Sequence, residues 1–308
     1  MSSDLRIGVV GAGVFGGYHA AKVAGHARAR LSGVHDAVEA RAAEVAGRHS
    51  ADALALDALI DASDALIIAS PASAHAQAAL YAIAAGRHVL VEKPIAHTLP
   101  LAERIVRAAD AAGTVLQVGH QERFVARAIG LDRVDAVPER IEAWRETPSG
   151  PRGRDVGVAL DLMTHDIDLV LWLLGSDPDT VAGRTTQRGD VAEAMLGFAR
   201  TDVALRASRN ADAPRRVMRL GYPGDRVVEV DFNAKSVSGG DAFGLDAAFG
   251  ACSDAADSLG AATDAFVRAV LDGDPVPVSG GHGLRALRIA LQVDERRPRT
   301  GPNGEEEE

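Results

Sequence analysis

Cysteine is almost missing. Cys252 is the one cysteine in 308 residues, so no intrachain disulfide can form and Cys-rich zinc sites are excluded. Positive charge is in deficit as well. Lys plus Arg is 33 against 43 Asp plus Glu, a formal charge of −10, which argues against a general binder of nucleic acid or anionic membrane, local basic patches aside. No uncharged apolar run reaches the length of a bilayer span. The opening MSSDLRIGVVGAG lacks a basic segment followed by a long apolar stretch and a cleavage site. The expectation is a soluble cytoplasmic protein with neither nucleic acid nor membrane as partner.

What is present is a globular composition. Hydrophobic residues make up 47% and charged residues 25%, so apolar burial alone can carry the fold at this length. The chain suffices for about two domains of roughly 150 residues. Residues 1–119 alternate short apolar runs (Leu5–Val10, Leu31–His35, Ala65–Ala69, His88–Val91, Val115–Val118) with helix-like segments near 14–24, 38–48, 73–85 and 99–112. That alternation predicts an α/β domain whose parallel sheet is covered on both faces. After Gly119 the pattern changes. ERIEAWRE at 139–146 alternates as a half-buried strand, 155–175 is helical, and strand-like runs follow near 180–188, 191–199, 202–210, 215–222 and 226–232. Short turns between such runs predict a mainly antiparallel sheet. Helices over 257–272 and 281–295 close the second domain, 120–296. The tail 297–308, nearly free of apolar residues and ending in four glutamates, is expected to be a disordered acidic tail.

The strongest signal is GAGVFG. Gly11, Gly13 and Gly16 form GxGxxG between the first apolar run and a helix. Gly11 suits the tight turn, Gly13 lets backbone approach a pyrophosphate, and Gly16 permits close helix–strand packing. Asp36 stands 20 residues beyond Gly16 at the end of the second run. There a carboxylate accepts from an adenosine ribose 2′-OH and repels a 2′-phosphate, favouring NAD over NADP. Arg41 is the one nearby group that would help a 2′-phosphate.

Two further groups carry chemistry. Lys93, in Glu92-Lys93-Pro94, ends the His88–Val91 run at the sheet edge where ligands of open α/β folds bind. It suits a donor to a substrate oxygen, or a surface lysine in a strand-end loop. Asp161 and His165 lie one turn apart on GVALDLMTHDIDLVLWLLG, a helix apolar on most sides. They suit a carboxylate–imidazole pair taking a proton near neutral pH, or a hydrogen-bonded core pair. A metal held by His165 with Asp161 and Asp168 has no supporting motif, and none is expected.

With these residues in view, the chain resembles the Gfo/Idh/MocA oxidoreductases, named for glucose-fructose oxidoreductase and inositol dehydrogenase. The matching pieces are GAGVFG, SPASAHAQAALYAIAAGRHVLVEKP, VGHQERF, DLMTHDIDLVLWLLG and AFVRAVLDGDPVPVSGGHGLRALRIAL, in order over nearly the whole chain. The resemblance implies a Rossmann dinucleotide-binding domain, a second α/β domain with an open sheet, and a homodimer or homotetramer. It implies hydride transfer between a sugar hydroxyl and nicotinamide. His165 would be the base, Asp161 would orient the substrate, and Lys93 would donate to the reacting oxygen. Val14, Phe15, Ser70, Pro71, His75 and Glu92 would join the glycines and Asp36 around the cofactor. The GH-x-ERF form resembles the branch acting on nucleotide sugars, UDP-N-acetylglucosamine 3-dehydrogenases among them, with His120 and Arg123 beside the sugar. Arg145, Arg152 and Arg154 would suit a diphosphate, or would be loop charges balanced by Glu142 and Glu146. Two departures stand out. Val125-Ala126 replaces the branch's Asn-Pro after Arg-Phe, and only Gly157 remains of the glycine-rich stretch before Asp161. Redox-neutral NAD-dependent glycosidases and non-catalytic nicotinamide-binding regulators also fit this fold.

Overall fold

Five apolar runs become five parallel strands. In this computed structural model, which describes residues 4–150, 156–186 and 188–295, they are Leu5–Val10 (β1), Ala29–His35 (β2), Ala65–Ile68 (β3), His88–Val91 (β4) and Leu116–Val118 (β5). They pair in the order β2-β1-β3-β4-β5, every pair parallel. All four residues of β3 are buried, as a strand covered on both faces requires. The crossovers are Val14–Ala24 (α1), Glu39–Gly47 (α2), Leu56–Ala62 (α3), Ala72–Ala84 (α4) and Leu99–Ala112 (α5). Helix α3 buries only Leu59 and Ile60, too short a pattern to stand out in the sequence.

The second sheet grows from Arg140–Glu146 (β6), Thr180–Thr185 (β7), Val191–Phe198 (β8), Thr201–Ser208 (β9), Arg215–Tyr222 (β10), Arg226–Asp231 (β11) and Ser236–Ser238 (β12). Its order is β12-β11-β10-β6-β9-β8-β7. One pair, β6 with β9, is parallel and the rest are antiparallel. Period-two alternation separates its faces. Strand β6 buries Ile141, Ala143 and Arg145, and β9 buries Val203, Leu205 and Ala207. Helix Glu122–Ile129 (α6), a π turn at Ala159–Met163 and helix Thr164–Leu174 (α7) belong to the same unit, the π turn packing on β6, β8 and β9 and α7 on β6. The opposite face carries cross-strand pairs, Arg184 with Glu193, Arg206 with Glu193 and Arg219 with Glu229, and Arg215 lies 4.1 Å over the Trp144 ring. Each such exposed pair adds little stability.

Helices Ser253–Ala256 (α8), Ser258–Leu271 (α9) and Gly280–Glu295 (α10) close the chain. Two compact units result, one from the chain up to Gln121 together with Asp257–Leu284, the other from Glu122–Ala256 and the chain from Arg285 onward. A contiguous second domain over 120–296 does not capture the return of α9. Its Phe266 and Val267 join Leu5, Ile7 and Leu90 in one core cluster, and Gln117 Nε2 donates to Ala262 O at 2.8 Å. An amphipathic helix shows in sequence that it covers something, not which sheet it covers. The expected tail 297–308 lies outside the described residues. No helix among the described residues is long and apolar enough to cross a membrane.

Candidate active site

The carboxyl ends of the parallel strands gather the dinucleotide signature. Gly11 follows β1, Asp36 follows β2, Ser70 follows β3, and Glu92-Lys93 follows β4. Strand β1 lies between β2 and β3, the point where strand order reverses and a crevice opens. Gly11 has φ 99°, and a Cβ there would stand 2.5 Å from Ser70 N. Gly13 caps α1 without a side-chain bond, and the first turn holds no acidic residue. A Cβ at Gly13 would meet nothing within 4 Å. The α1 N-terminus is therefore bare backbone beside open space, as an anion site needs. Gly16 is different, because its Cβ would fall 1.7 Å from Gly11 O. Gly16→Ala must shift backbone, so it is expected to cost about 1–3 kcal/mol and to weaken NADH binding by at least about tenfold. Thermal unfolding and a fluorescence titration check this, and unchanged affinity would refute the packing role.

Asp36 Oδ2 accepts from Ala12 N at 2.7 Å and Oδ1 from Val38 N at 2.8 Å. Each oxygen keeps a further lone pair for a ribose hydroxyl. Val14, Phe15 and Val38 are each more than 40% exposed, apolar surface at the mouth of this turn. Ser70 Oγ is buried and has no hydrogen-bond partner among the described residues. An orphaned hydroxyl beside Gly11, a bare helix start and a carboxylate at the end of β2 together fit a dinucleotide.

At the β4 edge, Lys93 and Pro94 are joined by a cis peptide. Pro71 caps α4. His75 sets one ring nitrogen 2.8 Å from Pro94 O and the other 2.8 Å from Ser70 O. Glu92 is only 6% exposed. Its Oε1 lies 2.9 Å from His19 Nε2 and accepts from Gln121 Nε2 at 3.4 Å, while Oε2 accepts from Lys93 N at 3.3 Å. Burial pushes the Glu92 carboxyl up, but the His19 bond and the nearby charges of His19, Lys93 and His75 outweigh it and hold the group below the ordinary carboxylate range.

In the second unit, Asp161 lies in the π turn and His165 in the first turn of α7. Both are partly exposed, whereas Leu160, Met163, Thr164 and Asp166–Leu171 around them are buried. The π turn carrying Asp161 runs directly into α7, which carries His165, and such turns recur at functional sites. Arg209 at the end of β9 reaches to 4.0 Å from Asp161 Oδ2 and donates to Val156 O at 3.0 Å. Just after His165 two carboxylates are clamped. Asp166 takes both arms of Arg145, at 2.9 Å each, and Arg145 also donates to Glu122 at 3.0 Å. Asp168 takes Arg123 at 2.7 and 2.6 Å, and Arg123 lies 5.9 Å from the Trp172 ring centroid.

Residues 5–120 match the GFO/IDH/MocA oxidoreductase family, NAD-binding Rossmann fold, and residues 129–231 match the GFO/IDH/MocA C-terminal domain. The chain is 36% identical over 303 residues to the UDP-N-acetylglucosamine 3-dehydrogenase of Acidithiobacillus ferrooxidans, covering 94% of this chain and 96% of that one. The chain belongs to the GFO/IDH/MocA oxidoreductases. A solved structure of the same Acidithiobacillus enzyme superposes with a TM-score of 0.85 at 34% identity, covering 95% of this chain and 97% of that one. The inositol 2-dehydrogenase of Rhizobium meliloti is 32% identical over 58% of this chain and 57% of its own length.

Several of the expected site residues take protein partners. Arg123 is 2% exposed and Arg145 1%, and each makes a two-armed pair with an aspartate of the HDID segment. The alternation of β6 carried the clue, because Arg145 shares the inner face with Ile141 and Ala143. Nor do Glu142 and Glu146 balance Arg145, since Glu142 pairs with Arg140 and Glu146 with Arg206. Arg152 and Arg154 lie outside the described residues. His120 is buried at 2% exposure. His75 and Glu92 turn polar atoms to protein partners. His19 and Arg209 were missed. His19 sits on the stripe Gly16, Ala20, Val23 that α1 buries, and a polar residue on such a stripe needs a partner. No comparable signal marks Arg209.

Proposed function

We propose that this oxidoreductase oxidises the C3 hydroxyl of a UDP-linked amino sugar with NAD; its Acidithiobacillus relative is named a UDP-N-acetylglucosamine 3-dehydrogenase. The observation that carries this is the match along almost the whole chain, 94% of it, whereas the inositol 2-dehydrogenase of Rhizobium meliloti matches over 58%. Gly11, Gly13, Val14, Phe15, Gly16, Asp36, Ser70 and Pro71 hold the dinucleotide, which supplies the hydride acceptor when bound. The Asp36 carboxylate selects NAD by repelling a 2′-phosphate. His165 takes the hydroxyl proton, Lys93 donates to the same oxygen, and Asp161 orients the sugar. As the carbinol becomes a ketone, its hydroxyl proton goes to His165 and its hydride would go to the acceptor that a bound dinucleotide would supply. A homodimer or homotetramer in the cytoplasm accords with an open sheet face of paired charges, Trp144 and Met195.

The test is NADH absorbance with UDP-N-acetylglucosamine, free glucose and inositol, each with NAD+ and with NADP+. A signal with the UDP-sugar and NAD+ alone is expected. Turnover of inositol instead would overturn the substrate, and faster reduction of NADP+ would overturn the role of Asp36. Release of an aglycone without net NADH would make the protein a redox-neutral glycosidase.

A further inference from the structure

Glu92 stands between a buried histidine on α1, which the proposed mechanism does not use, and the lysine expected at the reacting oxygen. Its carboxylate is enclosed, with His19 at 1% and Glu92 at 6% exposure. Three donors converge on it, His19 Nε2, Gln121 Nε2 and Lys93 N. Gly119 closes the remaining side, where a Cβ would stand 2.6 Å from Glu92 Oε1. The titratable groups facing it are His19 from α1, His75 from α4 and Lys93 itself. His19 Nδ1 has no partner among the described residues, so the ring's one hydrogen bond goes to Glu92. A carboxylate at Glu92 has no proton to give, which fixes His19 as the donor.

We infer that Glu92 is a positioning residue for Lys93: held from behind by His19 and Gln121, it fixes the Lys93 backbone through Lys93 N. His75 completes the frame by spanning Ser70 O and Pro94 O, one on each side of the Glu92-Lys93 edge. The inference rests on the proposed role of Lys93 at the substrate oxygen. The Glu92–His19 contact itself stands without it.

The chain offers an unusual probe, because Lys22, Lys93 and Lys235 are its only lysines. Protein labelled with 13C at the lysine ε carbon gives one signal for each, assigned by Lys22→Arg and Lys235→Arg. In Glu92→Gln, which keeps the shape but turns one acceptor into a donor, the Lys93 signal is expected to move, kcat with UDP-N-acetylglucosamine should fall about tenfold, and KM should change less than about twofold. Glu92→Asp keeps both acceptors and should restore most of the Lys93 signal position. An unmoved Lys93 signal in folded Glu92→Gln overturns the inference. If glutamine at 92 prevents folding, His19→Leu decides instead. It leaves Oε1 without its best donor and should move the Lys93 signal, whereas His19→Gln retains a donor and should not; equal signals in the two overturn the inference. Absence of sugar turnover in the unaltered protein would fail the proposed substrate alone, since the lysine signal needs no substrate.

Discussion

His165→Ala is expected to lower kcat for sugar oxidation by about 10³-fold, within the range a positioned general base contributes. NADH affinity should stay within about twofold, because the glycines, Asp36 and Ser70 proposed to hold the dinucleotide lie in the other compact unit. Folding should also survive. Helix α7 is held by the arginine clamps on Asp166 and Asp168, and the His165 side chain is partly exposed. With the base gone, water or hydroxide must take the proton, so the residual rate should climb with pH where that of the unaltered enzyme levels off. Steady-state kinetics across pH, with NADH titration and thermal unfolding on the same samples, check all three. Unchanged kcat would remove His165 from the mechanism and shift the base to Lys93 or Asp161. Loss of NADH binding would mean the substitution had damaged more than a proton acceptor.

The sequence spoke most clearly where one residue type has one physical use. Gly11 and Gly16 each meet a distinct steric demand of the turn after β1, and Asp36 falls at the end of β2 with both oxygens on backbone N–H groups. The parallel strands were legible as continuous apolar runs and the second sheet as alternation with short turns. Arginine was harder to read. Arg123 and Arg145 carry the same charge and length as a phosphate-binding arginine, and only the positions of Asp166 and Asp168 on α7 show that they are consumed inside the fold. Those carboxylates face Arg145 on β6 and Arg123 on α6 across sequence separations of 21 and 45 residues, beyond any local pattern. The Glu92–His19 contact spans 73 residues and was equally out of reach, although His19 on a buried stripe was a visible anomaly. The return of α9 to the first sheet failed for the same reason, since periodicity shows that a face is apolar and not what it meets.

The largest stability effect is expected at Asp166. Arg145 lies among apolar neighbours on the inner face of β6 and gives two hydrogen bonds to Asp166 and one to Glu122. Burial by itself would lower the Arg145 pKa, but the charges of Asp166 and Glu122 prevail and raise it. Arg216 also leans on Glu122 at 3.6 Å, and burial together with the Arg145 charge pushes its guanidinium down. Two arginines therefore share two carboxylates. Asp166→Ala leaves both cations with Glu122 alone, an uncompensated buried charge, and should cost about 3–5 kcal/mol. The urea midpoint should fall accordingly, and kcat with it, because Asp166 adjoins His165. By contrast, Arg184→Ala, which breaks an exposed pair with Glu193, should cost less than about 1 kcal/mol. The decisive comparison is the double variant Arg145→Met with Asp166→Leu. Removing both charges leaves Glu122 to Arg216 and should be less damaging than Asp166→Ala alone, a non-additivity that a pair of independent contacts would not show. If Asp166→Ala lowers stability by less than about 1 kcal/mol, Arg145 has found water or another acceptor, and the clamp on α7 does not hold His165 in place.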